Sequence, residues 1–260
     1  MPYRHRLQAR RFELKYILSE RCARAVRDFV KGYLEPDQHA RGSSDFSYSV
    51  CSLYLDTPTL ALFRQTDQGL KNRFKLRMRF YDADPAHPVF LEVKRREADV
   101  ICKERAAVTR EGAKLLLRGK RPGAGHLIRE IDDSEGPSAL ERFCGLRDEI
   151  GARAAVYVGY TREAYVSPKN DRLRITFDRD VRGTAFDRRH QLEPPQQGTR
   201  ANVGGVILEI KFTDCFPGWL LEMVQAFNLQ RQSVPKYVLC VRALGLRPSR
   251  WLGVEQESVA

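Results

Sequence analysis

Residues 73–80 read RFKLRMRF: Arg73, Lys75, Arg77 and Arg79 alternate without a break with Phe74, Leu76, Met78 and Phe80. On an extended strand successive side chains point to opposite faces, so one face of this segment is cationic and the other apolar. A solvated face over a buried one accounts for a single strand of this kind. Other strands repeat it. Arg11, Glu13 and Lys15 alternate with Phe12, Leu14 and Tyr16; Glu92 and Lys94 flank Val93, and Lys103 and Arg105 follow at the same spacing. Arg172 and Arg174 alternate with Leu173 and Ile175, and Glu209 and Lys211 with Leu208, Ile210 and Phe212. An ordinary wet face would show Thr, Ser, Gln and mixed charge. Here it is nearly all Arg, Lys and Glu.

A sheet closed into a barrel gives every strand an inward and an outward row. Helices over the outer apolar row would leave the charged row to line a lumen. Buried charge must be paired, so such a lumen calls for anions, water or both. The glutamates among the cations, Glu13, Glu92 and Glu209, would pair with them or hold a divalent metal. The expected fold is therefore α+β: an antiparallel eight-stranded closed β-barrel, a tunnel, with helices packed on the outside.

The rest of the chain supports strands with helices at the beginning, middle and end. Arg11–Ile17 reads as a strand, and Ser19 as the N-cap of a helix carrying Cys22, Val26, Phe29, Val30 and Tyr33, stopped by Pro36. Tyr48–Leu55 is a strand, after which Asp56-Thr57-Pro58 opens a short helix ending at Gly69. Val89–Arg95 and Val100–Val108 form a hairpin, and a mixed helical region runs from about 109 to 151. Strands Ala155–Val166 and Arg172–Val181 meet at the turn Ser167-Pro168-Lys169-Asn170. Gly183–Gly205, polar and rich in Gly, Pro and Gln, is the best candidate for a mobile loop. Val206–Phe212 is a strand, and helices follow around Trp219–Phe227 and Pro235–Leu244. No internal repeat and no domain boundary is evident, so 1–260 is read as a single domain with its core at about 10–244.

Composition narrows the partner. The formal net charge of +12 implies attraction to something anionic. Nucleic acid is disfavoured, because Glu at every second or third site of the basic strands would repel phosphate backbones. Arg118-Gly119-Lys120-Arg121-Pro122-Gly123-Ala124-Gly125 lacks the G-x-x-x-x-G-K-[ST] order and reads as a loop. No Ser-His-Asp or Cys-His arrangement stands out. The six cysteines form no C-x-x-C pair, which argues against a zinc site or a disulfide framework. MPYRHRLQARRFELKY has no apolar signal region, and no run approaches the ~18 apolar residues of a membrane span. We therefore expect no membrane span and a reduced, cytoplasmic setting.

The order ELK, SLYLDT, KLRMRFY, FLEVKRR, CKER, YTREAY, LRITFD, LEIKF and VPKYVLCV resembles the VTC-type polyphosphate polymerase domain of the triphosphate tunnel metalloenzyme (CYTH-like) superfamily. The resemblance implies an antiparallel tunnel of about eight strands that binds triphosphate or polyphosphate with a divalent metal. By motif it assigns Lys15 to the end of the first tunnel strand, Arg77 and Arg79 to R-x-R, and Lys94 to E-x-K. Lys103 and Arg105 fall on the next strand, Arg162 in Y-x-R-x-A-[FY], Arg174 in the R-I strand, and Lys236 before the last helix. Glu209 matches the metal-binding glutamate, with Lys211 beside it.

Lys15, Arg77, Arg79, Lys94, Arg174 and Lys211 are thus expected as catalytic. Lys75, Lys103, Arg105, Arg162 and Lys236 are expected to bind substrate, and Glu13, Glu92 and Glu209 to hold Mn2+ or Mg2+. Hydrolytic branches of the superfamily begin E-x-E-x-K, whereas Arg11-Phe12-Glu13-Leu14-Lys15 has Arg at the first Glu position, which favours the polymerase-like branch. The implied reaction is transfer of the ATP γ-phosphate to a polyphosphate chain, with ATP, triphosphate or inorganic polyphosphate as partners. The rivals are a metal-dependent triphosphate or polyphosphate hydrolase and a non-catalytic polyphosphate-binding module.

Overall fold

The computed structural model describes residues 11–40, 43, 46–98, 100–128, 131, 135–168, 172–189, 191–195 and 197–247. In chain order the elements are β1 (Arg11–Leu18), α1 (Glu20–Val30), β2 (Glu35–Pro36), β3 (Ser47–Asp56), α2 (Ala61–Asp67), β4 (Arg73–Phe80), β5 (Val89–Glu97) and β6 (Val100–Val108). Then come α3 (Arg110–Leu117), α4 (Gly136–Glu149), β7 (Arg153–Val166), β8 (Leu173–Ala185), β9 (Thr199–Arg200), β10 (Val206–Thr213), α5 (Gly218–Ala226) and α6 (Lys236–Ala243). The fold is α+β. The hydrogen-bonded order is β1-β10-β8-β7-β3-β4-β5-β6, with β2 added to β7 and β9 to β8. Among the described residues no pairing joins β6 back to β1, so the expected closed barrel is corrected to an open path of eight strands.

The residues divide into two compact units. The first takes its described residues from Met1–Tyr48, Thr161–Arg179 and Val203–Val234. Its core joins Tyr16 and Leu18 of β1, Ile175 and Phe177 of β8 and Leu208 and Ile210 of β10 to Ala23, Val26 and Val30 of α1 and Leu220 and Met223 of α5. Helix α1 starts where Ser19 ends the strand: its Oγ accepts from the Cys22 N–H at 3.2 Å, satisfying a donor that the first turn leaves open.

The second unit takes its described residues from Ser49–Tyr160, Asp180–Asn202 and Pro235–Ala260. Leu76, Met78 and Phe80 of β4, Leu91 and Val93 of β5 and Ala106 and Val108 of β6 bury one face against Leu62 of α2, Leu116 of α3 and Leu140 and Phe143 of α4. Each fully buried Leu or Phe contributes about 1.5–3 kcal/mol. A one-residue slip of β4 would exchange those side chains for its four cations, so the register is strongly fixed.

Two expectations need correction here. Helix α2 opens at Ala61 rather than at Thr57-Pro58, because Leu60 takes a left-handed conformation (φ 54°) that interrupts the helical run. Asp56 caps it from outside, its carboxylate accepting from the N–H groups of Leu62 and Phe63 at 2.9 Å each. The Tyr237 hydroxyl of α6 donates to the same carboxylate at 2.7 Å.

The second correction concerns Gly183–Gly205, which is not loop throughout. Strand β8 runs on to Ala185, β9 pairs with it through Arg182↔Arg200 and Gly183↔Thr199, and Leu192 and Ala201 are buried. Gly183 is required by contact, since a Cβ there would lie 2.7 Å from the Cβ of Cys240 on α6. Residues 169–171 of the turn expected before β8, and residues 190 and 196, lie outside the described residues. Among those described, no helix is long and apolar enough to cross a membrane.

Candidate functional site

In the second unit the polar faces of β4, β5 and β6 line up in rows. Directly opposite residues of antiparallel strands share a face, which places Arg77, Glu92 and Arg105 in one row and Lys75, Lys94 and Lys103 in the next. Arg79 faces Phe90 one row further on. Arg73 and Arg96 are opposite each other at the other end, so eight cations of β4–β6 share a face with one carboxylate, Glu92. Three lysines abreast are destabilising by themselves, since like charges directly opposite repel.

Glu92 holds this face together. It is 1% exposed. Its Oε2 lies 2.5 Å from Arg77 Nε and 3.9 Å from Arg79 Nε, and its Oε1 meets Lys103 Nζ. Burial would raise its pKa, yet Arg77, Arg79 and Lys103 hold it well below the usual carboxylate range. Lys103 responds the other way. Although 44% of its side-chain surface is exposed, desolvation, together with the repulsion of Arg77 and Arg79, outweighs the attraction of Glu92 and brings it down to about 8.

Tyrosines complete this face, and sequence reasoning did not single them out. Arg77 Nη1 donates to the Tyr54 hydroxyl at 3.2 Å. Arg79 donates to Ser52 Oγ and to the Tyr160 hydroxyl, each at 3.4 Å. Burial alone would raise the Tyr54 pKa; Arg77 and Lys75 bring it below the ordinary tyrosine value. Tyr54 also stacks on Tyr237 with ring centroids 4.6 Å apart. Lys236, the first residue of α6, sits 4.8 Å above the Tyr160 ring, and Arg105 lies 4.8 Å above the Phe90 ring. The strict alternation of SLYL in β3 and the Y-x-R spacing in β7 were the available signals for Tyr54 and Tyr160.

In the first unit β1, β10 and β8 form a second set of rows. Glu13, Lys211 and Arg174 are abreast, and Lys15, Glu209 and Thr176 are abreast beside them. Charge is nearly balanced here. Lys15 Nζ lies 2.6 Å from Glu13 and 3.7 Å from Glu209, and Lys211 Nζ lies 2.5 Å from the other oxygen of Glu209. Arg174 Nη2 reaches Asp37 at 2.7 Å and the Tyr48 hydroxyl at 2.9 Å.

Arg162, expected to bind substrate, has its fork on a neighbour instead: Nε and Nη2 donate to the two oxygens of the buried Asp178 at 2.6 and 2.8 Å. That bidentate pair fixes β7 against β8 within the first unit.

Among the described residues no group of three or more His, Cys, Asp or Glu is gathered to hold a metal. Mg2+, however, is commonly held by one or two carboxylates, with phosphate and water completing its sphere. Glu13 and Glu209, two carboxylates sharing the Lys15 ammonium, fit that need for hard oxygen donors. Glu92, also expected as a metal ligand, meets three cations, Arg77, Arg79 and Lys103, and no second carboxylate shares its row.

The VTC domain family model matches residues 10–245, and the chain belongs to that family. Membership supports a function that concerns triphosphate or polyphosphate. No curated protein matches. Solved structures similar to this chain include two that cover most of it. A candidate adenylate cyclase (bh2851) of Bacillus halodurans has 12% identity and a TM-score of 0.46, over 85% of this chain and 91% of its own. The PH1819 protein of Pyrococcus horikoshii OT3 has 15% identity and a TM-score of 0.44, over 88% and 98%.

Proposed function

We propose that this protein is a polyphosphate polymerase-like enzyme that transfers the ATP γ-phosphate to a polyphosphate chain. The observation that carries the proposal is the row Lys75–Lys94–Lys103 beside Arg77 and Arg79, with Glu92 as the single carboxylate on that face. Such a face is costly in the empty protein and is relieved by a polyanion. At an effective dielectric near 20, a cation and a phosphate oxygen at 4 Å attract by roughly 4 kcal/mol before desolvation. Eight cations less one carboxylate overcompensate one triphosphate, so a longer chain is the better fit. Arg77 and Arg79, oriented by Glu92, Tyr54, Ser52 and Tyr160, are the groups positioned to meet phosphate oxygens with a planar fork.

Phosphoryl transfer asks the protein chiefly for positioning and charge neutralisation. We assign Lys15, Lys211 and Arg174 to phosphate in the first unit, and Glu13 and Glu209 to Mn2+ or Mg2+. A divalent cation held there would polarise the phosphoryl group. Glu92 is assigned to the arginines rather than to metal, and Arg162 to holding β7 and β8 through Asp178. The Arg11 position, where hydrolytic relatives carry Glu, favours polyphosphate over water as acceptor.

Glu209 and Lys211 share a strand face but have opposite parts, and two variants separate them. Glu209→Gln is expected to abolish metal-dependent turnover while triphosphate binding stays intact or tightens, since a repelling charge is gone. Lys211→Ala is expected to weaken binding itself. Normal turnover by Glu209→Gln with Mn2+ would remove the metal assignment.

A further inference from the structure

Tyr237, the second residue of α6, is 1% exposed and anchored at its hydroxyl. It donates to Asp56 Oδ2 at 2.7 Å, and the Phe63 N–H donates to the same oxygen at 2.9 Å. The other oxygen of Asp56 takes the N–H groups of Thr57 and Leu62 at 2.7 and 2.9 Å. Each carboxylate oxygen thus has two donors, which fixes Asp56 and, through it, the Tyr237 ring. Burial first, and then Asp56, push the Tyr237 pKa well above the ordinary tyrosine value, so its hydroxyl stays a donor.

The ring carries this anchorage to β3. Tyr54 lies on Tyr237 with ring centroids 4.6 Å apart and planes 13° from parallel. Tyr54 is directly opposite Arg77 of β4, so the two side chains share a face. Its hydroxyl meets Arg77 Nη1 at 3.2 Å, while Glu92 holds Nε at 2.5 Å. Contacts on two different nitrogens set both the position and the rotation of a planar guanidinium; one contact sets only its position. Without a ring beneath it, Tyr54 would have other staggered rotamers open to it, and Arg77 would lose its second contact. The first residue of α6 makes a parallel connection. Lys236 is over the Tyr160 ring, and the Tyr160 hydroxyl accepts from Arg79.

We infer that Tyr237 is a positioning residue for polyanion binding: its ring, stacked on Tyr54, holds the Tyr54 hydroxyl where it orients the Arg77 fork. The inference rests on the proposed function, in which Arg77 meets phosphate oxygens. It adds to that reading a buried residue of α6 that acts on the cationic face only through its neighbour. A tyrosine that merely filled the core would affect melting and leave the affinity of the folded protein unchanged.

Calorimetric titration of the purified protein with inorganic triphosphate, at low salt and without metal, tests it at a temperature where each variant is folded. A hydrogen bond to a charged group is worth about ten- to a hundredfold, and loss of the contact that orients Arg77 is expected to cost about tenfold in affinity. Tyr237→Met removes the ring and should show that loss. Tyr237→Phe keeps the ring and should bind within a few-fold of wild type, although it melts lower for want of the bond to Asp56. Tyr54→Phe keeps the stack but not the acceptor, and should lose about tenfold as well. The double variant Tyr237→Met/Tyr54→Phe should be no weaker than either single one, whereas independent effects would add to about a hundredfold. Wild-type affinity in Tyr237→Met overturns the positioning role, as do additive losses in the double variant. Equal weakening of Tyr237→Phe and Tyr237→Met also overturns it, because the effect would then come from Asp56 and not from the stack. Should the Met variant not fold, Tyr54→Phe decides, and wild-type affinity there breaks the connection to Arg77. If wild type binds no triphosphate, the proposed function falls and the positioning role with it; if wild type binds and only the variants depart from expectation, the positioning role alone falls.

Discussion

Glu92→Gln removes the one carboxylate of the cationic face while keeping its shape, and we predict a severe loss of stability. Glu92 is buried and holds Arg77, Arg79 and Lys103. Removing one partner of a buried ion pair costs about 3–5 kcal/mol, because the remaining charge stays uncompensated. Against a total stability of about 5–15 kcal/mol that is a large share. At about 2–4 °C per kcal/mol for a chain of this size, the melting temperature should fall by roughly 10 °C. The pH dependence has a definite sign. The Glu92 pKa is held well below the ordinary value of 4.5, so its contribution is full above that value and is lost as pH falls through the lower folded one. The gap between wild type and variant should therefore be widest near neutrality and narrow in acid. Inorganic triphosphate at a hundredfold excess over Kd stabilises a protein by about 2.7 kcal/mol, and at equal concentration it should stabilise the variant more than wild type, because the variant is expected to bind it more tightly. Thermal melts from neutral to acidic pH, with and without triphosphate, provide the assay. A variant melting within about 2 °C of wild type near neutrality, a shift worth less than about 1 kcal/mol, would refute the reasoning.

Lys103, with its pKa near 8, should lose its charge as pH rises through that value, and triphosphate affinity should fall with it. Lys103→Arg keeps the charge at all these pH values and should abolish that step; an unchanged pH profile by calorimetry would place the titration on another group. Tyr237→Phe leaves the buried Asp56 without its 2.7 Å hydroxyl donor and should cost about 1.5–3 kcal/mol, visible as a melting temperature lower by several degrees. An unchanged melt would remove Asp56 as the joint between α2 and α6.

The strands and their two faces were legible in the sequence because alternation is a local property with a period of two. RFKLRMRF became β4 with its apolar residues buried, and the hairpin of β5 and β6 fell where Val89–Arg95 and Val100–Val108 put it. Ser19 capped α1 as its chemistry required. What stayed hidden depends on partners distant in sequence. Alternation does not say which strand lies beside which, so closure of the barrel was not fixed by it, and the path ends at β1 and β6. Asp56 caps α2 across six and seven residues, and Arg162 meets Asp178 only through the neighbouring strand. The Gly- and Pro-rich stretch after Gly183 hid the end of β8 because its pairing with β9 is two residues long.

Incubation of the purified protein with ATP and Mn2+, followed by separation of the products by chain length on a gel, tests the central claim most directly. We predict a ladder of phosphate chains that lengthens with time, together with ADP. Free phosphate as the sole inorganic product would contradict polymerisation in favour of hydrolysis, and tight triphosphate binding with no turnover of ATP would leave a binding module in place of an enzyme.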